Sequence, residues 1–127
     1  MRWRWLRPET AEAVHQKQLA EHGGGAGVRD HGALLSVLAR PENLAAYGEL
    51  DAAVLAAAYA FGVAKNYPFI DGNKRTAWVL ARLFLAKNGL SMECKDAEAV
   101  VAMLRPAAGM LNEAVLADWF RERIQPA

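Results

Sequence analysis

The sequence predicts an all-α fold, one compact bundle of six helices, and three observations carry that expectation. Apolar residues recur at helical spacing along most of the chain, and strand-like segments are few and short. Capping residues and helix breakers punctuate that period. A length of 127 residues with 54% apolar content suits a single domain around one core.

The elements follow in order. Pro8 to Glu21 reads as a first helix, with proline near its first position and acids in its first turn, stopping at His22-Gly23-Gly24-Gly25. Asp30 can cap a second helix, which should end at Arg40 ahead of Pro41. Asp51 can cap a third over 51–65, whose run AAVLAAAYAFGVA predicts almost complete burial and close helix packing. A fourth opens near Asn73 and runs to Lys87, before the stop signal Asn88-Gly89. Asp96–Leu104 and Asn112–Ile124 supply the last two. Met1–Leu6 and Leu90–Cys94 look extended and can pair as a small two-stranded ribbon. No repeat, low-complexity tail or linker divides the chain, so residues 1–127 read as one domain.

Composition narrows the function. A net charge of +1 gives no general polyanion-binding surface, so no nucleic-acid partner is expected and any anion site must be local. The alternation Arg2-Trp3-Arg4-Trp5 raises the idea of a base-stacking surface. Without a wider basic field, the preferred reading is that the tryptophans cover one edge of the core; a third is a place in a partner-binding groove. Cys94 is the only cysteine, which excludes an intramolecular disulfide and a cysteine-rich metal site and fits a reducing, cytoplasmic compartment. The basic start MRWRWLRPE lacks the apolar region of a signal peptide, and the longest apolar run is too short for a membrane span.

The chemistry concentrates in YPFIDGNKRTA, residues 67–77. A helix N-terminus presents unpaired N–H groups and partial positive charge, where a phosphate docks readily. Gly72 lets the backbone approach such a ligand, and Asn73 can cap the helix or donate its side-chain amide. Lys74 and Arg75 bring a mobile point charge and a planar fork to the first turn. Asp71 would repel a phosphate directly, but makes sense if a magnesium ion bridges it to the phosphates. The bland alternative is a capped helix with solvated charges. The strongly apolar helices on either side favour an anion site at the rim of a core.

YPFIDGNKRTA followed by WVLARLFLAKNG resembles the signature of the Fic/Doc superfamily, in its death-on-curing branch. The family pattern is His-x-Phe-x-Asp/Glu-Gly/Ala-Asn-Lys/Gly-Arg, and Lys74 is the form typical of Doc. The likeness extends through GVRDHGALLSVLARP at 27–41 and covers most of the chain. It implies a six-helix Fic/Doc bundle acting as the toxin of a toxin–antitoxin pair. Such toxins use ATP and Mg2+ to phosphorylate a threonine of elongation factor Tu, stopping translation; Fic relatives transfer AMP instead. The resemblance gives Asp71 the metal, Gly72 and Asn73 the anion hole, and Lys74 and Arg75 the neutralisation of phosphate. Phe69 becomes the anchor of the motif in the core. Adenylylating relatives carry a second arginine where this chain has Trp78, which favours the Doc branch. The implied partner is an antitoxin segment that folds on binding as an amphipathic helix in an apolar groove.

One position departs from the pattern. Tyr67 stands where the family has the histidine that serves as general base. An imidazole titrates at about 6.5, near operating pH, whereas a phenol titrates at about 10 and is almost entirely the acid form at neutral pH. General base catalysis is worth about 10²–10⁴ in rate. The chain is therefore expected to be an inactive or weakened form, or else one in which tyrosine itself serves as base or acceptor. Phosphoryl transfer rests mostly on positioning and electrostatics, so some activity can survive. His15, His22 and His31 read as surface or capping residues, His31 being the one to check for proximity to the site. Cys94 reads as a small packed residue.

Overall fold

The computed structural model describes residues 2–48, 50–104 and 110–127. Its described residues form six α-helices: α1 (Pro8–His22), α2 (His31–Ala46), α3 (Ala52–Asn66), α4 (Asn73–Lys87), α5 (Asp96–Ala99) and α6 (Glu113–Arg121). A π-helical turn, Val100–Leu104, continues α5. Two short strands, β1 (Leu90–Met92) and β2 (Ile124–Pro126), pair antiparallel with Leu90 opposite Pro126. The all-α expectation holds, and no helix among the described residues is long and apolar enough to cross a membrane.

Helix α3 is the axis of the bundle, in contact with α2, α4 and α6. Its sequence is apolar all round, which suits a helix enclosed by others. Small side chains let the neighbours approach: Ala56, Ala57, Ala58 and Ala60 are all fully buried. The larger core residues, Tyr59, Phe69, Phe84 and Phe120, fill the space between helices. Asp51 caps α3 by accepting from Val54 N at 3.0 Å, and Asp30 caps α2 by accepting from Ala33 N at 3.0 Å.

Several boundaries differ from the sequence expectation. Helix α2 passes through Pro41 to Ala46 instead of stopping at Arg40. Pro41 is buried and Leu44 and Ala45 beyond it pack on the core, so burial outweighs the backbone bond that proline removes. The fifth helical stretch splits into α5 and the π turn, and α6 ends at Arg121 because Ile124–Pro126 turns back to pair with β1.

The ribbon exists, but not with the expected partner. Among the described residues of the N-terminal segment, side chains rather than a strand take up the backbone groups. Asn88 accepts from Arg4 N at 2.9 Å and donates to Arg4 O at 3.1 Å. The Tyr59 hydroxyl accepts from Leu6 N at 3.1 Å. Met1 lies outside the described residues. Trp3 and Trp5 both pack on Phe84, with ring centroids 5.9 and 5.8 Å away, as the edge-of-core reading expects.

Candidate active site

The site is built where α3 ends and α4 begins. Tyr67 is the C-cap of α3 and adopts a left-handed conformation, φ 48° and ψ 55°. Among the described residues it alone does so without being glycine. Such geometry costs on the order of 1 kcal/mol or more and persists only where the surroundings impose it. Arg29 imposes it here. Its Nε donates to Tyr67 O at 2.5 Å and its Nη2 to Asn66 O at 2.9 Å, satisfying carbonyls that the helix end leaves open. The backbone adds to this hold: Arg29 N and Asp30 N donate to Pro68 O at 2.8 and 3.2 Å, and Ile70 N donates to Gly27 O at 3.1 Å. Residues 27–30 and 68–70 thus lie antiparallel, with Val28 bridged to Phe69.

The next residues are pinned from below. Phe69 is fully buried and its ring stacks on His15 at 4.0 Å, nearly parallel. Asn73 accepts from Phe69 N and donates to Phe69 O, both at 3.0 Å. Its side chain therefore latches the loop, where the sequence suggested a helix cap or a ligand donor. Gly72 takes the capping position of α4 in a left-handed conformation, φ 72°, with no side chain closing the helix end. A helix N-terminus carries partial positive charge, so this end of α4 favours an anion.

Tyr67 and residues 70–75 border an open cleft of about 420 Å³ at this helix end. Each site residue expected from the sequence borders it except Phe69, which lies beneath. Tyr67 is 44% exposed. Arg75 is exposed and Lys74 half-buried, so the cleft carries two cations and one carboxylate. Trp78 does not border this cleft. It packs between helices, 5.9 Å from the Trp119 ring, and Arg82 lies over its face at 5.7 Å.

Asp71 is held by three contacts. Its Oδ1 accepts from Gly72 N at 2.8 Å, its Oδ2 receives a long contact of 3.4 Å from Gly25 N, and its carbonyl accepts from His15 Nε2 at 2.8 Å. The carboxylate is exposed and keeps lone pairs free for a cation. Among the described residues no group of three or more His, Cys, Asp or Glu comes together. A lone carboxylate fits Mg2+, which keeps several waters and takes one or two carboxylates with phosphate oxygens.

His15 corrects the sequence reading, which placed it at the surface. It is 2% exposed and belongs to the motif's support. The signal was present: Ala11, Val14 and His15 fall at helical spacing, and Ala11 and His15 are both buried. His31 is exposed on the first turn of α2 and does not border the cleft. Cys94 is half-buried, and burial leads the effects that push its thiol up.

The segment that forms this site, α1 to α4, is also the segment in which the Fic/DOC family model matches, residues 5–85. The chain belongs to the Fic/DOC family. It is 31% identical over 119 residues to protein kinase doc of Escherichia phage P1, a match covering 93% of this chain and 94% of that one. It is 43% identical over 75 residues to toxin Doc of Mycolicibacterium smegmatis, 55% of each chain. Both relatives carry the Doc name, in agreement with the branch that Lys74 suggests.

Proposed function

We propose that this chain is a Doc-like toxin of a toxin–antitoxin pair, a protein kinase that transfers the terminal phosphoryl group of ATP to a threonine of elongation factor Tu. Transfer would inhibit translation in the cytoplasm. The observation that carries the reading is the open end of α4, where Gly72, Lys74 and Arg75 frame a cleft. The near end-to-end likeness to protein kinase doc of Escherichia phage P1 supports the reaction class.

The residues divide the work as follows. First-turn N–H groups of α4 and the Arg75 fork would bind phosphate oxygens, while Lys74 neutralises charge that spreads over them in the transition state. Asp71 would hold Mg2+, which would supply positive charge to offset that of the phosphates. Phe69, latched by Asn73, keeps the loop at a fixed height above the core. Tyr67 occupies the position of the base and leaves the target hydroxyl without the imidazole acceptor that the family uses. The activity of this form is accordingly attenuated.

An antitoxin is the second partner, docking as an amphipathic helix that folds on an apolar groove. Co-expression with it should give a complex that survives size exclusion; separate elution would count against the pairing. Tyr67 also motivates a second reading, a catalytically inert module that binds nucleotide or antitoxin without turnover. AMP transfer is the alternative within the enzyme class, disfavoured by Trp78.

Arg75→Ala tests the anion site. It should weaken binding of Mg2+–ATP measured by calorimetry, since it removes the forked partner. Unchanged affinity would mean that the end of α4 does not receive phosphate.

A further inference from the structure

We infer that α1 and the glycine turn behind it set the position of the Asp71 carboxylate, with His15 and Gly24 as positioning residues; this rests on the reading of Asp71 as the metal ligand. One peptide plane links His15 to the carboxylate. The Asp71–Gly72 peptide is planar, so fixing its C=O and its N–H fixes both ends together. The C=O accepts from His15 Nε2 at 2.8 Å, and the N–H donates to Asp71 Oδ1 at 2.8 Å. A carbonyl can only accept, so Nε2 carries the hydrogen in this contact. The ring that delivers it is itself immobilised, 2% exposed and stacked on Phe69. A buried side chain on α1 thereby dictates where Oδ1 of Asp71 stands.

The second carboxylate oxygen is set from the loop that follows α1. Gly25 N lies 3.4 Å from Oδ2, and a Cβ on Gly24 would come within 2.8 Å of the same atom. Gly24 also has φ +120°, a conformation that side chains disfavour. The glycine run after α1 is therefore shaped to lie against the carboxylate. Both oxygens are engaged by backbone N–H groups, and the outward lone pairs that remain have a defined direction. Groups behind a metal ligand commonly act this way, orienting it and costing about 10–100-fold in metal affinity when removed.

The test is ATP binding by calorimetry, with and without Mg2+, on His15→Phe, His15→Gln, Gly24→Ala and Asp71→Ala. His15→Phe keeps an aromatic ring against Phe69 and deletes the donor; His15→Gln restores an N–H donor. The expected result for His15→Phe is a loss of about tenfold in the Mg2+-dependent affinity, with metal-free ATP affinity unchanged and partial recovery in His15→Gln. Gly24→Ala lies in an exposed turn, so it tests the same hold should His15→Phe fail to fold, and it should show the same selective loss. If Asp71→Ala abolishes the Mg2+ dependence while His15→Phe and Gly24→Ala keep it at the parent level, the inference is overturned and Asp71 remains the ligand. If Asp71→Ala itself retains the full Mg2+ dependence, the metal reading falls and the inference with it.

Discussion

The Asn73 latch gives the sharpest link between stability and site. Asn73 is 8% exposed and satisfies both backbone groups of Phe69, itself fully buried. Asn73→Ala strands one N–H and one C=O in a dry environment. Each such group costs about 1–3 kcal/mol. Some relaxation of the loop towards water is expected, so the sum should be about 2–4 kcal/mol, a large part of a total of roughly 5–15. Urea denaturation followed by circular dichroism measures it as a lowered midpoint at constant slope. Asn73→Asp sharpens the test. It keeps the acceptor for Phe69 N but sets a carboxylate oxygen against Phe69 O. Its deficit should exceed that of alanine at neutral pH and shrink as pH falls, because the neutral acid can donate again. An Asn73→Ala protein that unfolds within about 0.5 kcal/mol of the parent but binds ATP poorly would rule out the latch. It would make the amide a ligand donor, not a latch.

The hold on Tyr67 and the helix caps yield further expectations. Tyr67→Gly should relieve the left-handed strain and raise stability by up to about 1 kcal/mol, while Arg29→Met should lower it by about 1–2 kcal/mol; a neutral effect of Arg29→Met would remove its role as the clamp on α3. The Arg121 guanidinium bonded to Asp51 holds that carboxyl below its ordinary range, opposed by partial burial and aided by Val54 N–H. A lowered folded value contributes stability that is complete above about pH 4 and lost as pH falls through the folded value, so Asp51→Asn should flatten the acid limb of a stability–pH profile. Burial raises the Tyr59 phenol to about 12, so stability should hold below about pH 10 and fall as pH rises towards 12; Tyr59→Phe should lack that alkaline loss.

Much of this was legible in the residues because local and global preferences agree. Asp30, Asp51 and Asn112 each cap a helix where the sequence placed one, accepting from the N–H three residues on. The apolar period of α3 and the glycine before Asn73 located the core and the cleft. What could not be read is tertiary in origin. Pro41 carries a helix-stop signal that burial overrides, and β1 pairs with β2 while Asn88 occupies the backbone of Arg4. Asn73 looks like a cap until Phe69 is folded beneath it. His15 looks like a surface histidine because its partners, Phe69 and Asp71, lie more than fifty residues away.

On the proposed function, an otherwise assembled phosphoryl-transfer site is held back by the residue at position 67. Tyr67→His tests it directly, with Mg2+–ATP and purified elongation factor Tu, read by intact mass and tandem sequencing of the target. Histidine should raise the rate of threonine phosphorylation by about 10²–10⁴, with ATP affinity nearly unchanged, because a general base acts on the transition state. Tyr67→Phe should behave like the present chain. A histidine variant that still leaves elongation factor Tu unmodified, or a phenylalanine variant that abolishes an activity the tyrosine form displays, would contradict it.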